Sequence, residues 1–291
     1  MGSRVIARAD ELRKALDGGA TLPASWYRDD EIARLEEERI FARSWEYAHP
    51  AERNGRPSPS AGRLETWGPL VFVTPDPAAP PLAEALGEVP GLIAESGADV
   101  GSLRFRERVE WEIPANWKVA IENYLECYHC PVAHPGFSKV IDVDPDAYLL
   151  RSSGTTSTQF GAVRESARSG KEPAPYAPEG PVKQAQYHFV WPNTTINVEA
   201  GPMNMSVDIT RPAGAERTLG FTDYYFAEDV PEETARAIMD FASQVGSEDA
   251  ALVESVQRGL SSGMISHGRL LLSSEHLIQH FQGLVFDALT R

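Results

Sequence analysis

Between Ala147 and Asp229 the chain breaks into short runs rich in β-branched and aromatic residues, closed by Gly, Pro, Asn or Ser, and beyond Asp229 the apolar spacing turns helical. The runs lie around Gln159 and at Tyr187–Trp191, Thr194–Glu199, Ser206–Arg211 and Leu219–Phe226. They predict successive strands of one antiparallel sheet. Leu103–Ile113 predicts a further strand and Pro69–Thr74 a short buried one. Helical patterns cover Arg28–Phe41, the segment Leu82–Ser96 with Pro90 inside it, and about Ala115–His129. The last helical region opens with Asp229 and Pro231 as a cap and runs toward the C-terminus, interrupted near Gly246 and Gly263. A sheet followed by long helices is an α+β arrangement. Residues 168–182 carry four prolines and predict a long loop, either a lid over a pocket or an idle surface excursion.

Composition narrows the function classes. The 291 residues carry a formal charge of −15, which argues against nucleic acid and anionic membrane as partners because both require clustered cations. No window approaches the roughly eighteen apolar residues of a membrane span, and the opening MGSRVIARADELRK is charged where a signal peptide is apolar, so the expected location is the cytoplasm. The cysteines are two, Cys127 and Cys130, too few for a disulfide framework or a four-cysteine metal cage; they read as small buried thiols. Residues 53–66 (RNGRPSPSAGRLET) are rich in Pro, Ser and Gly at their start and read as a connector between an N-terminal helical segment, 1–52, and the main domain, 67–291.

The densest polar cluster runs from Glu122 to His134 (ENYLECYHCPVAH). On a helix Trp117, Ile121, Tyr124 and Tyr128 form one apolar stripe, while Glu122, Glu126 and His129 form a second. His134 falls on another face of a continuous helix, but Pro131 removes a helical hydrogen bond, so a bend there swings His134 back toward His129. Converging histidines suggest a metal; the alternative is one histidine capping a helix C-terminus and one on a loop. Further on, Asp249 shares a helical face with Leu252, Val256 and Leu260, which are expected to point into the core. A carboxylate on a core face needs a cationic partner, and a metal is one; a cap in the first turn of its own helix is the other reading. Two histidines and one carboxylate form the facial triad of non-haem Fe(II), and the same set also serves catalytic zinc. His267, His276 and His280 read as surface or packing residues, and Trp191 and Tyr224-Tyr225-Phe226 as strand core, with some of these aromatics lining a pocket.

Asn116-Trp117-Lys118, Glu122-Asn123, Glu126, Tyr128-His129 and His134-Pro135 resemble the iron motif of the large α subunits of Rieske-type ring-hydroxylating oxygenases and their monooxygenase and N-demethylase relatives. Glu248-Asp249 with Leu252-Val253-Glu254, Val256-Gln257 and Gly259-Leu260 resembles the segment carrying their third ligand. Phe41–Trp45, Glu65–Val73 and Trp191-Pro192-Asn193 extend the likeness over most of the chain. The resemblance implies a helix-grip fold, a mononuclear Fe(II) held by His129, His134 and Asp249, a ring-shaped homotrimer, and Glu126 as the carboxylate that passes electrons between subunits. By it Asn123 and Tyr128 join Glu126 as catalytic-site residues, and an aromatic cage for a quaternary amine becomes an expectation. Relatives carry a cluster domain ahead of the ETWG-like strand, bound through C-x-H and C-x2-H pairs. Here residues 53–66 occupy that place with neither Cys nor His, so no [2Fe-2S] cluster is expected in this chain.

Three functions follow. The first is an iron oxygenase that hydroxylates or oxidatively demethylates a small aromatic or amine molecule with O2 or peroxide. Its electrons would come from a separate electron-transfer protein or an intact partner subunit. The second is a redox-neutral hydrolase or lyase using the metal as a Lewis acid. The third is a non-catalytic metal-binding or assembly subunit.

Overall fold

The computed structural model describes residues 9–50, 62–170 and 174–290. Most of the connector expected at 53–66 therefore lies outside the described residues. Its last four residues do not behave as a connector, because Arg63–Thr66 open a strand.

Three short strands, β1 (Glu46–Pro50), β2 (Arg63–Trp67) and β3 (Leu70–Thr74), form a small antiparallel sheet with β3 in the middle. The large antiparallel sheet holds β4 (Leu103–Ile113), β5 (Ile141–Asp142), β6 (Leu149–Ser153), β7 (Thr156–Val163), β8 (Ala185–Val190), β9 (Thr194–Val198), β10 (Asn204–Pro212) and β11 (Thr218–Ala227). Its order is β4-β11-β10-β9-β8-β7-β5, with β6 also paired to β7. The expected strands are present, and the molecule is α+β.

Alternation along the central strands sends two sets of side chains to opposite faces. Ile196 and Val198 of β9 with Val207 and Ile209 of β10 pack beneath the small sheet, against Phe72, Leu70 and Tyr47. The opposite positions, Thr195, Asn197, Ser206, Asp208, Thr222 and Tyr224, line a cavity under the helices. A strand with both faces covered and polar residues on one of them marks a built site, since polar groups are not removed from bulk water without partners.

Two helices close that face. One is short, Trp117–Tyr124, and is capped by Asn116, whose side chain accepts from the Lys118 N–H. The other is a single 30-residue helix, Glu232–Ser261. The expected interruption at Gly246 does not occur, because packing on the short helix and the sheet carries it through one weak helix former. Nor does Asp229 cap it; Pro231 occupies the N-cap position with no side-chain hydrogen bond. Helices Ala9–Asp17 and Asp30–Arg39 lie against the C-terminal helix Leu272–Thr290 and share a core with Trp117, Ile121 and Phe281. The buried Lys118 ammonium reaches the buried Glu36 carboxylate, which also accepts from the Trp117 indole at 2.8 Å. Glu122 accepts from the Tyr27 hydroxyl at 2.6 Å and from Gln282 at 2.9 Å. The N-terminal helices thus grip the short helix by its polar side chains, which fixes where its C-terminal end points. No helix among the described residues is long and apolar enough to cross a membrane.

Candidate metal centre and its cavity

The short helix ends at Tyr124, well before the expected His129. The cause is local. The Glu126 carboxylate captures the backbone N–H groups of Tyr128 and His129, an alternative to helical bonding that stops the helix. Cys127 and Cys130, expected as thiols, are joined in a disulfide whose Cα atoms lie 5.0 Å apart across the resulting turn. The bend therefore precedes Pro131, which sits in the first turn of the next short helix, Cys130–Ala133, where proline is tolerated.

This turn points His129 and the buried His134 at one centre. Their Nε2 atoms are 3.0 Å apart, His134 Nε2 is 3.0 Å from Asp249 Oδ1, and His129 Nε2 is 3.4 Å from the same oxygen. Ligand atoms about 2.1 Å from a shared ion lie about 3.0 Å apart at a right angle and about 3.4 Å apart at the tetrahedral angle. The three donors therefore fit one ion, and the two 3.0 Å edges match the right angles of an octahedral face.

The opposite ring nitrogens decide the tautomers. His129 Nδ1 meets Glu126 Oε1, and His134 Nδ1 lies 2.8 Å from Glu248 Oε2. With an ion at the centre, protons held at Nδ1 would leave both Nε2 lone pairs facing it, as in the usual carboxylate-histidine-metal relay; without one, the Nε2 positions donate to Asp249 instead. Asn123 Nδ2 donates to Asp249 Oδ1 at 2.6 Å and orients the third donor. Burial pushes the Asp249 carboxyl up, but hydrogen bonds from His129, His134 and Asn123 outweigh it and hold the group below the usual range. Burial lowers His129, yet Asp249 and Glu126 more than compensate and raise it to about 9. Asp249 lies in the middle of the long helix, so the capping alternative fails.

The face on which Asp249 sits is not the expected one. Val253 and Gln257 are buried, whereas Val256 is 52% exposed and Leu252 is half-buried. Side chains four and eight positions beyond Asp249 define the inward face, and Gln257 is held there by hydrogen bonds to Asn116, Tyr27 and Glu216.

The donors open into a cavity of about 510 Å3 between the long helix and the large sheet. Its walls carry Trp111, Tyr124, Phe137, Tyr148, Tyr187 and Tyr224, and neither lysine nor arginine among the described residues.

Residues 100–291 match the family described as ring hydroxylating alpha subunit, catalytic domain. The chain belongs to that family. It is 36% identical over 234 residues to a carnitine monooxygenase oxygenase subunit of Acinetobacter pittii, covering 77% of this chain and 61% of that protein. It is 30% identical over 236 residues to the chloroplastic choline monooxygenase of Arabidopsis thaliana, covering 77% of this chain and 53% of that one. The chain thus spans about six-tenths or less of these curated relatives. In fold it superposes on the quaternary ammonium Rieske monooxygenase CntA with a TM-score of 0.79 at 24% identity, over 92% of this chain and 95% of that one. On naphthalene 1,2-dioxygenase from Rhodococcus the TM-score is 0.72 at 14% identity, over 97% and 98%.

Within this chain, His129, His134, Asp249, Asn123 and Glu126 come together at one end of the short helix. Tyr128 does not join them: its side chain is 64% exposed and lines no part of the cavity, because the helical stripe that was to carry it stops at Tyr124. Residues 168–182 are in part packed rather than idle, since Tyr176 is buried among Phe241 and Phe137. His280 packs at Ser157 and Gly154, away from the centre.

Sequence reasoning missed three carboxylates. Glu248, beside Asp249 in the third-ligand segment, is the partner of His134. Glu199 and Asp208 line the cavity from the sheet. For Glu199 and Asp208 the signal is an acid flanked by apolar residues, Val198-Glu199-Ala200 at the end of β9 and Val207-Asp208-Ile209 within β10, at positions that alternate with core residues.

Proposed function

We propose that this chain is the catalytic portion of a mononuclear non-haem iron oxygenase that hydroxylates or oxidatively demethylates a small cationic amine. The convergence of two imidazole Nε2 atoms and one carboxylate oxygen on a single centre, with both remaining ring nitrogens tied to carboxylates, carries the reading. His129, His134 and Asp249 would hold Fe(II), which when bound supplies the redox chemistry of dioxygen or peroxide.

The chain's own residues supply the rest. Glu126 and Glu248 keep the imidazole protons at Nδ1, and Asn123 keeps Asp249 aimed inward. The aromatic walls would shield the site from water and offer ring surfaces to a cation. Relatives named for carnitine and choline support the amine. The only cysteines, Cys127 and Cys130, are bonded to each other, which supports electrons arriving from outside this chain. That source is a separate electron-transfer protein or the cluster domain of a partner subunit, with Glu126 at the point of entry. The reading extends to a cytoplasmic homotrimer.

The test loads anaerobic protein with Fe(II), adds reductant with labelled O2, or peroxide, and offers choline, carnitine and simple methylamines. Oxygenated product carrying the label, formed only with iron, supports the reading. Turnover without an oxidant, or equally with zinc, would establish redox-neutral chemistry instead.

A further inference from the structure

Two carboxylates line the cavity from the sheet, and they differ in how much of their hydrogen-bonding capacity the protein uses. Both oxygens of Asp208 have donors: Oδ1 accepts from Thr222 at 2.5 Å, and Oδ2 accepts from Thr195 at 2.9 Å and Asn197 at 2.8 Å. In Glu199 one oxygen does. The hydroxyls of Tyr187, at 3.0 Å, and Tyr176, at 3.3 Å, both donate to Oε2, while Oε1 meets no donor among the described residues. The backbone of Glu199 is pinned at the end of β9, its N–H donating to the Asn204 side chain and its carbonyl accepting from it. The open oxygen is therefore held in place, on a side chain only 7% exposed, and it belongs to the cavity lining.

We propose that Glu199 is the specificity-determining counter-charge of this site, its Oε1 facing the ammonium of a compact amine whose remaining part is uncharged. This rests on the amine reading above and narrows it. A buried acid with an unused oxygen and no lysine or arginine beside it among the described residues of the wall is incomplete until a cation arrives. Among the described residues the same wall carries no Lys or Arg to pair with the carboxylate of a zwitterion, and Glu199 and Asp208 repel one. A cationic alcohol such as choline fits both conditions; carnitine meets only the first.

The groups around Glu199 give the reading a pH signature. Tyr124, Tyr148, Tyr176, Tyr187 and Tyr224 face it, all pushed above the usual phenol range by burial and so neutral, and Asp208 lies on the neighbouring strand. Burial raises Glu199 to about 7, against the lowering effect of the two hydroxyls. A cation binds the ionised form, so its affinity rises with pH up to about 7 and then levels.

Calorimetric titration of the anaerobic, iron-loaded protein tests this with three probes: choline, carnitine, and dimethylbutanol, the uncharged isostere of choline with carbon in place of nitrogen. Wild type should bind choline about tenfold or more tightly than either other probe. Glu199→Gln should lose about tenfold for choline, stay within about twofold for dimethylbutanol, and lose the pH dependence. Glu199→Asp, which keeps the charge, should retain part of the choline preference. Equal losses for choline and dimethylbutanol in Glu199→Gln would show that Glu199 only braces Tyr176 and Tyr187. Carnitine binding as tightly as choline would refute the uncharged remainder. Binding is read without turnover, so failure of the oxygenase assay with this discrimination intact would remove the reaction and leave the recognition.

Discussion

Asp249 and Glu199 line the same cavity, both largely withdrawn from water, yet their carboxyls move in opposite directions. Asp249 is met by two imidazoles and an amide, and those donors hold it below the usual range despite burial. Glu199 is met by two phenols on a single oxygen, and burial lifts it to about 7. Donors that can carry positive charge stabilise an anion far better than neutral hydroxyls do. One acid is therefore kept as a permanent anion for a cation that stays, and the other becomes an anion when a cation visits.

The strongest way to break this contrast is to remove the permanent anion. Asp249→Ala should lower Fe(II) affinity by more than about a hundredfold, read as iron content after gel filtration, because the centre keeps only two nitrogen donors. Stoichiometric iron in that variant would show that the three donors do not form one metal centre. His129→Ala and His134→Ala should behave alike.

Next in size is the cost of the second anion in the absence of its cation. With its folded value raised to about 7, Glu199 holds a proton that the unfolded chain releases near 4.5. The folded state thus binds more protons between these values, and stability is lost as pH rises from about 4.5 to 7. A shift of this size corresponds to about 3 kcal/mol, and Glu122, also raised to about 7 by burial, adds a slope in the same window. Glu199→Gln should remove the Glu199 share, about as large as that of Glu122, from the slope of denaturant midpoints measured between about pH 5 and pH 7, leaving the shares of His129, raised to about 9, and His188, lowered to about 3, in place. An unchanged slope would mean Glu199 is ionised in the fold, like Asp249, and the contrast would collapse.

These two acids were unequally legible in the sequence for a physical reason. His129 and His134 are five residues apart, so a turn of almost any geometry brings them near each other, and a motif can announce them. Asp249 needed only the knowledge that its segment is helical. Which side chains share its inward face depends on packing, and the expected phase is off by one residue, Leu252 for Val253 and Val256 for Gln257. Where the short helix stops was misread because proline is the visible breaker, whereas the Glu126 carboxylate ends it earlier by competing for backbone N–H groups. Glu199 depends on Tyr176 from a loop and Tyr187 from β8, contacts set by sheet register that no local pattern encodes. The strands themselves were plain from alternation; the polar positions between core residues revealed their purpose only once both sheet faces were seen to be covered.

A smaller effect sharpens the metal side. Glu248 touches the centre only through His134 Nδ1, and its side chain is 26% exposed. Glu248→Gln keeps an acceptor but loses the charge, so Fe(II) affinity should fall about tenfold, the lower end of what such partners contribute. Glu248→Ala should cost more, since His134 is then free to turn. If neither variant changes iron affinity, the imidazole is oriented by packing on Phe137 instead.

The smallest effect concerns Tyr128, which the motif places beside a ligand and the fold turns outward. Only its backbone N–H takes part, donating to Glu126, and any residue but proline supplies that donor. Its ring contacts neither the cavity nor the imidazoles, so Tyr128→Ala should leave iron content and choline affinity within about twofold and stability within about 0.5 kcal/mol, measured on the isolated chain. A loss confined to turnover driven by a protein electron donor, with peroxide-driven turnover intact, would assign the ring to the path by which electrons arrive. A loss of iron or of choline binding would instead mean that the ring folds inward over His129 in solution, and that the metal side of the cavity has one more wall than the contrast with Glu199 assumes.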